Sequence, residues 1–288
     1  TDTIACISKV TEAVVREVVP NHKDICYLPH TVDTQIFKKI EDEKELEERR
    51  REGFTILDNV NERTVFFWNN RNARRKQSGS LIYWFKKFLD DVGHDKATLL
   101  MHTDPKDPHG QDLEYIINHL ELNKGQVYLS RAKVEPQYLS VMYNICDCTI
   151  SISDAEGFGL ATLESLACET PIIATMTGGL QEQVTDGENW FGIGLEPVSK
   201  AIIGSQEIPF IYEDRLSEEA VVDALKKMHN MSKKERAQLG KAGREHVLKN
   251  YSPEKYAKGW EEVFDRVVEQ HGSWDTRKGY KAWELIEV

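Results

Sequence analysis

The stretch AEGFGLATLESLACETP, residues 155–171, decides both the local fold and the chemistry, because Glu156 and Glu164 bracket a Gly-Phe-Gly turn in it. Gly157 and Gly159 allow unusual backbone dihedral angles and a close approach to a ligand, just before an apolar run typical of a helix. The first turn of such a helix presents unpaired N–H groups and the positive end of the helix dipole. The stretch therefore predicts a strand-to-helix turn that binds an anion such as phosphate.

Strands and helices alternate along the chain. The continuous apolar run at 64–68 (TVFFW) predicts a buried strand, and apolar residues spaced by three and four predict a helix at 80–89. Further strands are predicted at 4–7, 25–28, 98–102, 126–129, 148–151 and 171–174. Further helices are predicted at 11–19, 41–51, 113–119, 139–146, 161–168, 218–228, 233–250 and 253–268. Strands joined by such helices imply right-handed crossovers, so we expect an α/β fold, a Rossmann-like parallel sheet with helices on both faces.

A basic loop, NNRNARRK at 69–76, follows the predicted strand at 64–68. Parallel sheets bind ligands at the carboxyl ends of their strands, and this loop and 153–160 both lie at that edge. The guanidinium of Arg71 can bind phosphate oxygens with two hydrogen bonds, and the ammonium of Lys76 adds a point charge. Each charge-assisted hydrogen bond contributes about 1.5–3 kcal/mol. The pair can therefore hold a diphosphate without a metal and stabilise its charge as a leaving group.

The two glutamates allow two interpretations. Retaining glycosidases use a pair of carboxyl groups about 5–5.5 Å apart as acid and nucleophile. Eight helical positions would separate Glu156 from Glu164 by roughly 12 Å. The wider spacing favours an extended ligand held at both ends, with Glu164 accepting hydrogen bonds from a ribose and Glu156 facing a sugar.

Composition bears on several classes of protein. The 288 residues carry a formal net charge of −11, which argues against a general nucleic-acid binder because phosphate backbones need a basic surface. Of five scattered cysteines, Cys146 and Cys148 form a CxC, a weak metal signal; reduced thiols in a cytoplasmic protein are the simpler interpretation. No apolar run approaches the roughly 18–20 residues of a membrane span, so membrane association is not indicated. Because the chain begins with Thr1 rather than Met, we expect a fragment of a longer protein.

Taken together, four motifs resemble the C-terminal, nucleotide-binding half of GT-B glycosyltransferases, within the large retaining group called family 4. They are the Glu–seven residues–Glu pair Glu156 and Glu164, the Arg–four residues–Lys pair Arg71 and Lys76, the linker Pro29-His30-Thr31-Val32-Asp33 followed by Phe37, and Gly178-Gly179 followed by Glu182. The resemblance covers roughly residues 25–256, and the joint spacing of the motifs is highly specific.

The resemblance implies a role for each matching residue. Arg71 and Lys76 would bind the diphosphate of a nucleoside-diphosphate sugar, Glu164 the ribose and Glu156 the transferred sugar, so that Arg71, Lys76 and Glu156 are the catalytic candidates. The implied donor-binding residues are Arg71, Lys76, Lys133, Val134, Glu156, Gly157, Phe158, Gly159, Leu160 and Glu164. Family members retain the anomeric configuration by front-face attack, in which the leaving phosphate helps to deprotonate the acceptor. They generally need no metal and no other cofactor.

Three positions depart from the family pattern. Asn70 stands where a glycine commonly precedes the phosphate-binding arginine, and Thr31 replaces a glycine of the linker. Glu169 begins Glu-Thr-Pro where the family commonly has Gly-Thr-Pro. None of the three is an expected ligand contact, although Asn70 adjoins one.

A larger departure from the family is an expected absence. GT-B enzymes have an N-terminal acceptor domain, and this sequence matches only their C-terminal half. We expect residues 1–24 to be the tail of such a domain with its linker, 25–270 the sugar-nucleotide-binding domain, and 271–288 a C-terminal tail. The tail contains the aromatic residues Trp274, Tyr280 and Trp283. They either belong to a segment that crosses back to the N-terminal domain or cover the local core.

The predicted function is a glycosyltransferase that transfers a sugar, with retention of configuration, to an acceptor that the sequence does not identify (a glycan, a lipid or a protein). Two alternatives stay open. One is a sugar-nucleotide-binding module with no activity of its own. The other is a different GT-B enzyme, such as an epimerase or a glycan phosphorylase; a phosphorylase would need a lysine-bound pyridoxal phosphate, and the sequence singles out no lysine for it.

Overall fold

The computed structural model of the chain describes residues 2–57, 59–273 and 275–278. The strands are β1 Ile4–Cys6, β2 Ile25–Tyr27, β3 Thr64–Asn69, β4 Ala97–His102, β5 Val127–Ser130, β6 Cys148–Ser151, β7 Ile172–Thr175, β8 Gly192–Leu195, β9 Ser199–Ile202 and β10 Tyr212–Arg215. The helices are α1 Lys9–Val18, α2 Glu43–Gly53, α3 Ser78–Val92, α4 Leu113–His119, α5 Pro136–Asn144, α6 Leu160–Ala167, α7 Gln181–Val184, α8 Glu218–Asn230, α9 Lys233–Asn250 and α10 Pro253–His271.

Six parallel strands form the central sheet, in the order β5-β4-β3-β6-β7-β8. From β3 the chain builds outward through β4 to β5, then crosses back to β6 and builds outward the other way. The loops after β3 and β6 therefore diverge from adjacent strands and leave a crevice between them, at the carboxyl edge of the sheet.

Each face of the sheet is covered by an apolar core, because alternate residues of a strand point to opposite faces. Phe66 and Trp68 of β3 share one buried cluster with Phe85 of α3. Phe67 lies in a second cluster with Leu163 of α6. All five side chains are fully buried, and burying a side chain of this size contributes about 1.5–3 kcal/mol. The predicted α/β parallel sheet with helices on both faces is confirmed.

Most elements agree with those predicted from the sequence. Helices α4 and α9 have the predicted bounds, and the other predicted helices differ at their ends by at most three residues. Helix α7, strand β8 and the antiparallel pair β9 and β10 are not predicted from the sequence. Strand β8 contains Gly192 and Gly194, which lack the apolar side chains that predict a strand. A Cβ at Gly192 would lie 1.9 Å from the carbonyl oxygen of Ile172, so the backbones of β7 and β8 approach closely there.

A second, smaller sheet lies at the start of the chain, where β1 and β2 pair in parallel with α1 between them. Glu182 joins this unit to the larger sheet by accepting hydrogen bonds from the backbone N of Lys9 (3.2 Å) and the hydroxyl of Tyr27 (3.1 Å). The boundary predicted between residues 24 and 25 falls just before β2, and the division into 1–24, 25–270 and 271–288 stays a prediction. Trp274, Tyr280 and Trp283 lie outside the described residues.

Among the described residues, no helix combines the length and the apolar character that crossing a membrane requires.

The turns after β6 and β7 touch at Gly178, which should tolerate a side chain poorly. Its φ is +48°, and a Cβ would lie 1.7 Å from the carbonyl oxygen of Glu156. We expect Gly178→Ala to lower the free energy of unfolding by about 3 kcal/mol or more. The alanine would adopt a strained positive φ, and the backbone at Glu156 would also have to move to make room for its Cβ. Gly187→Ala is the matched control: its φ is +99° but the Cβ would meet no atom within 4 Å, so strain alone should cost about 1 kcal/mol. Equal losses in denaturant unfolding would contradict this account.

Candidate functional site

A cavity of about 410 Å³ opens at the carboxyl ends of β3 and β6. Its wall includes Asn70 and Lys76 from the loop after β3, and residues 156–162 from the turn after β6 and the start of α6. His30, in the segment after β2, closes one side. The structure thus brings together the two polar segments that the sequence predicted to meet.

Lys76 and Glu156 form a buried ion pair in this cavity. Arg75 lies on the same carboxylate oxygen, with Nη1 3.4 Å away, and donates a hydrogen bond of 2.6 Å to the carbonyl oxygen of Ala155. Burial lowers the pKa of Lys76, and the attraction of Glu156 opposes that shift. Two cations thus face one carboxylate, Lys76 from the cavity wall and Arg75 from beside it.

The turn after β6 presents the start of α6 to the same cavity. Gly159 precedes the helix with φ +94°, and no side chain caps the first turn. The hydrogen bonds that hold the turn use its carbonyl oxygens: Gly179 N donates to Gly157 (3.2 Å), and Gln183 Nε2 donates to Phe158 (2.8 Å). The N–H groups at the start of α6 therefore line the cavity without a side-chain cap, and their binding of an anion stays a prediction.

Phe158 and Leu160 occupy opposite environments within that turn. The Phe158 side chain is buried and makes edge-to-face contacts with His30 and Tyr251, at centroid distances of 5.5 and 5.7 Å. Leu160, the first residue of α6, is exposed. Phe158 therefore anchors the turn through its side chain, and only its backbone is available to a ligand.

Glu164 lies one turn inside α6, on a chain of hydrogen bonds that crosses to β3. Tyr143 donates to its Oε2 at 2.7 Å, and Asn69 Nδ2 donates to the Tyr143 hydroxyl at 2.8 Å. Burial raises the pKa of Glu164 to about 7, against the opposing effect of the Tyr143 hydrogen bond. Near neutral pH the carboxyl group is therefore about half protonated, and hydroxyl donors from a ligand would favour its charged form.

Arg71 points away from Lys76. Its Nε and Nη2 donate to the two oxygens of Asp107 at 2.6 and 3.1 Å, and Nη2 also donates to Nδ1 of His109 at 2.9 Å. The hydrogen bonds from Arg71 hold the pKa of Asp107 well below its ordinary value. The cavity wall includes Lys76 and not Arg71, so the two predicted phosphate ligands engage different carboxylates in this structure.

Lys133 and Val134 follow β5, which is an edge strand of the sheet. Lys133 is exposed and Val134 is half-buried. Three strand spacings, about 14 Å in all, separate β5 from β6. The structure therefore does not bring this pair to the wall of the cavity, and its role in framing a base stays a prediction.

The three departures from the family pattern have separate structural outcomes. Asn70 lines the cavity. Thr31 donates a hydrogen bond of 2.7 Å to the carbonyl oxygen of Tyr251, which ties the linker to the end of α9. Glu169 has φ +60°, a left-handed conformation that costs a residue with a side chain more than glycine.

Sequence reasoning did not single out Arg75, Tyr143 or His30 as site residues. Arg75 stood within the recognised basic loop, but nothing in the run distinguished the arginine that contacts Glu156 from its neighbours. Tyr143 gave only the signal of a helical residue, because its partners Asn69 and Glu164 are 74 and 21 positions away in sequence.

Glu164 should make stability depend on pH. Its pKa of about 7 in the folded chain exceeds the ordinary value of 4.5, so stabilisation by its proton is complete below pH 4.5 and is lost as the pH rises through 7. We expect the free energy of unfolding of the wild type to fall relative to that of Glu164→Gln by at most about 3 kcal/mol between about pH 5 and pH 8. Glu261→Gln, an exposed change on α10, is the control and should follow the wild type. Parallel pH profiles for the wild type and Glu164→Gln in denaturant unfolding would contradict the burial argument.

Known proteins are similar to this chain in sequence and in fold. The curated N-acetyl-alpha-D-glucosaminyl L-malate synthase of Bacillus anthracis is 22% identical over 268 residues, which are 93% of this chain and 60% of that protein. The solved sucrose-phosphate synthase of Thermosynechococcus elongatus superposes with a TM-score of 0.73 at 21% identity, over 94% of this chain and 59% of the other. Anabaena HepE, solved in complex with UDP-glucose, has a TM-score of 0.69 at 13% identity, over 92% of this chain and 64% of the other.

The likeness to these structures is one of fold, and it confirms the predicted resemblance to GT-B glycosyltransferases. The chain spans about 60% of the length of the curated relative and of sucrose-phosphate synthase. The model of the family described as glycosyl transferases group 1 matches residues 57–246, well over half of the chain. The chain therefore belongs to the group 1 glycosyltransferase family.

Proposed function

We propose that this chain is the donor-binding half of a retaining glycosyltransferase, which transfers a sugar from a nucleoside-diphosphate sugar to an acceptor. The observation that carries the proposal is the Lys76–Glu156 pair, which lies beside the N-terminus of α6 in one cavity. Group 1 family membership and the UDP-glucose complex of the similarly folded HepE support the choice of ligand class.

The diphosphate of the donor would lie between Lys76 and the first turn of α6. Lys76, Arg75 and the N–H groups of residues 158–160 supply positive charge and hydrogen-bond donors there. Arg71 would join them by exchanging the Asp107 carboxylate for a phosphate, one anion for another. These groups would then stabilise the charge that develops on the diphosphate as the glycosidic bond breaks.

The two glutamates would hold the ends of the donor. Glu164 would accept hydrogen bonds from the ribose hydroxyls, with its other partner Tyr143 keeping the carboxyl group in place. Glu156 would face the transferred sugar from the opposite side of the diphosphate. Lys133 and Val134, on the loop after β5, would frame the base at the outer end of an extended ligand.

Transfer would proceed with retention of anomeric configuration. The acceptor hydroxyl would attack from the face that the diphosphate leaves, and a phosphate oxygen of the leaving group would take its proton. Lys76, Arg71 and Glu156 would be the residues that act on the reacting centre. The proposed reaction needs no metal, because cationic side chains and the helix N-terminus would balance the negative charge of the diphosphate.

The acceptor, whether glycan, lipid or protein, is not specified by the described residues. The chain spans about 60% of its relatives, so we propose that donor binding resides here and that transfer requires the full-length protein. The isolated chain would then behave as a sugar-nucleotide-binding module. An epimerase would instead release a nucleotide sugar whose sugar has a changed configuration. The product formed from a nucleotide sugar therefore distinguishes an epimerase from a glycosyltransferase.

We also propose a cytoplasmic location. All five cysteines are free thiols, although Cys6 and Cys26 lie on adjacent strands, and free thiols are typical of the reducing cytoplasm. Fractionation that recovers the native protein from an oxidising compartment would contradict this.

Nucleotide binding tests the donor site directly. Calorimetric titration with UDP, GDP and ADP should show that one of them binds, and Lys76→Met and Arg71→Ala should each weaken it about 10–100-fold, the loss of a charged hydrogen bond. Lys86→Ala, on α3 and outside the cavity wall, is the control and should bind as the wild type does. The assignment of the donor site would be wrong if none of the three nucleotides bound, or if Lys76→Met bound a nucleotide as tightly as the wild type does.

Donor hydrolysis tests the reaction without knowledge of the acceptor. The full-length protein should slowly hydrolyse a UDP-sugar such as UDP-glucose, and proton NMR should detect the α-anomer of glucose first, because retention preserves the donor's configuration. EDTA should leave the rate unchanged, and Lys76→Met should abolish it. Initial release of the β-anomer would refute retention, and loss of hydrolysis in EDTA would refute metal independence.

A further inference from the structure

Five side chains form a closed cluster behind the loop that carries Lys76. This hairpin cluster consists of Arg74, Gln77, Asp154, Glu213 and Arg215, and it joins three separate parts of the chain. Arg74 and Gln77 come from the loop after β3, Asp154 from the turn after β6, and Glu213 and Arg215 from β10.

The cluster is well buried at its carboxylates and balanced in charge. Arg74 donates to both oxygens of Glu213, at 2.8 and 2.7 Å, and Arg215 lies 3.0 Å from Asp154. The side chains of Glu213 and Asp154 are each only 4% exposed. Two guanidinium groups thus face two carboxylates, so the cluster offers an anionic ligand little net charge. Its contribution to a donor site must therefore be one of geometry.

The cluster reaches the Lys76–Glu156 pair through short connections. Gln77, next to Lys76, donates to Asp154 at 2.7 Å and has φ +56°, a conformation that needs support from its surroundings. The backbone N of Asp154 donates to the carbonyl oxygen of Arg75 at 2.8 Å. Asp154 itself stands two positions before Glu156, so each connection ends within two residues of the pair.

The hairpin of β9 and β10 completes the arrangement from outside. Asp214 N donates to the carbonyl oxygen of Asp154 at 2.9 Å, which joins β10 to the turn after β6 through the backbone as well. In the antiparallel register, Glu213 and Arg215 alternate with Tyr212 and Asp214, so both cluster residues share one face of the hairpin. That face is the one that meets Arg74 and Asp154.

We propose that Glu213 and Asp154 are positioning residues of the donor site, which hold residues 71–77 against the turn after β6 and so set where Lys76 and Glu156 meet. The hairpin of β9 and β10 is then a working part of the site rather than a surface insertion. The inference rests on the proposed function for its effect on nucleotide binding; the effect on the loop itself does not depend on that function.

Glu213→Gln separates positioning from simple electrostatics. The change removes a negative charge near an anion site, so electrostatics alone would strengthen nucleotide binding. Loss of positioning would weaken it, because Lys76 no longer meets the diphosphate in a fixed geometry. We expect UDP, or whichever of the three nucleotides the wild type binds, to bind Glu213→Gln about 10-fold more weakly. Hydrogen exchange of the amides at 71–77 should become faster in the absence of nucleotide.

Asp147→Asn is the matched control, because it removes another buried carboxylate, at the amino end of β6, where Asp147 lies 2.8 Å from Arg50. It should lower stability while leaving both nucleotide affinity and exchange at 71–77 as in the wild type. All measurements are made below the unfolding transition of every variant, checked by circular dichroism. If Glu213→Gln does not fold, Arg74→Lys replaces it, since lysine keeps the charge but loses the two-pronged contact. If Asp147→Asn does not fold, Asp24→Asn serves as the control by breaking the Asp24–Arg266 pair at 3.0 Å.

The exchange measurement tests the hold on residues 71–77 independently of the proposed function, and the binding measurement tests its consequence for the donor site. Unchanged exchange at 71–77 in Glu213→Gln, or unchanged or tighter nucleotide binding, overturns the positioning role. Faster exchange in a protein whose wild type binds none of the three nucleotides refutes the donor site and leaves the positioning role standing.

Discussion

The pairing of β3 with β6 is the contact on which the arrangement of the site depends. In the part of the chain that the structure describes, this is the one place where neighbouring strands of the six-stranded sheet lead into loops that turn opposite ways, and Lys76 and Glu156 lie on those two loops. Without that pairing Lys76 and Glu156, 80 positions apart in sequence, would have no reason to meet. The apolar cores on the two faces of the sheet hold the strands in register, and the crevice is the consequence.

The site concentrates cations in a chain that is acidic overall. It does so by giving each cation a largely buried carboxylate as partner: Lys76 faces Glu156, Arg74 faces Glu213 and Arg71 faces Asp107. Burying a lone charge costs several kcal/mol, whereas a well-bonded pair recovers much of that cost. Under the proposed function, a ligand phosphate would therefore enter a site whose cations are already held in place, and it would replace carboxylates as well as water.

How much the sequence reveals follows from which interactions are local. The basic loop, the Gly-Phe-Gly turn and the buried strand TVFFW are continuous in sequence, and the structure brings the loop and the turn to one cavity beyond the end of that strand. The partners of Arg71 and Glu164 are not local: Asp107 is 36 positions from Arg71, and Tyr143 gave no chemical signal. The hairpin of β9 and β10 was missed for another reason. Its outer face is exposed and neither strand has the apolar alternation of a buried one, so tertiary contacts at Glu213 and Asp214 fix what local propensity does not.

The contact between Gly178 and the carbonyl oxygen of Glu156 has an evolutionary consequence. Two turns that touch backbone to backbone cannot drift separately, since lengthening or reshaping one displaces the other. We therefore expect the turn after β7 and the turn after β6 to change together in evolution, although β7 and α6 separate them along the chain. Replacing the turn after β6 by that of a relative would therefore require the turn after β7 to be replaced with it.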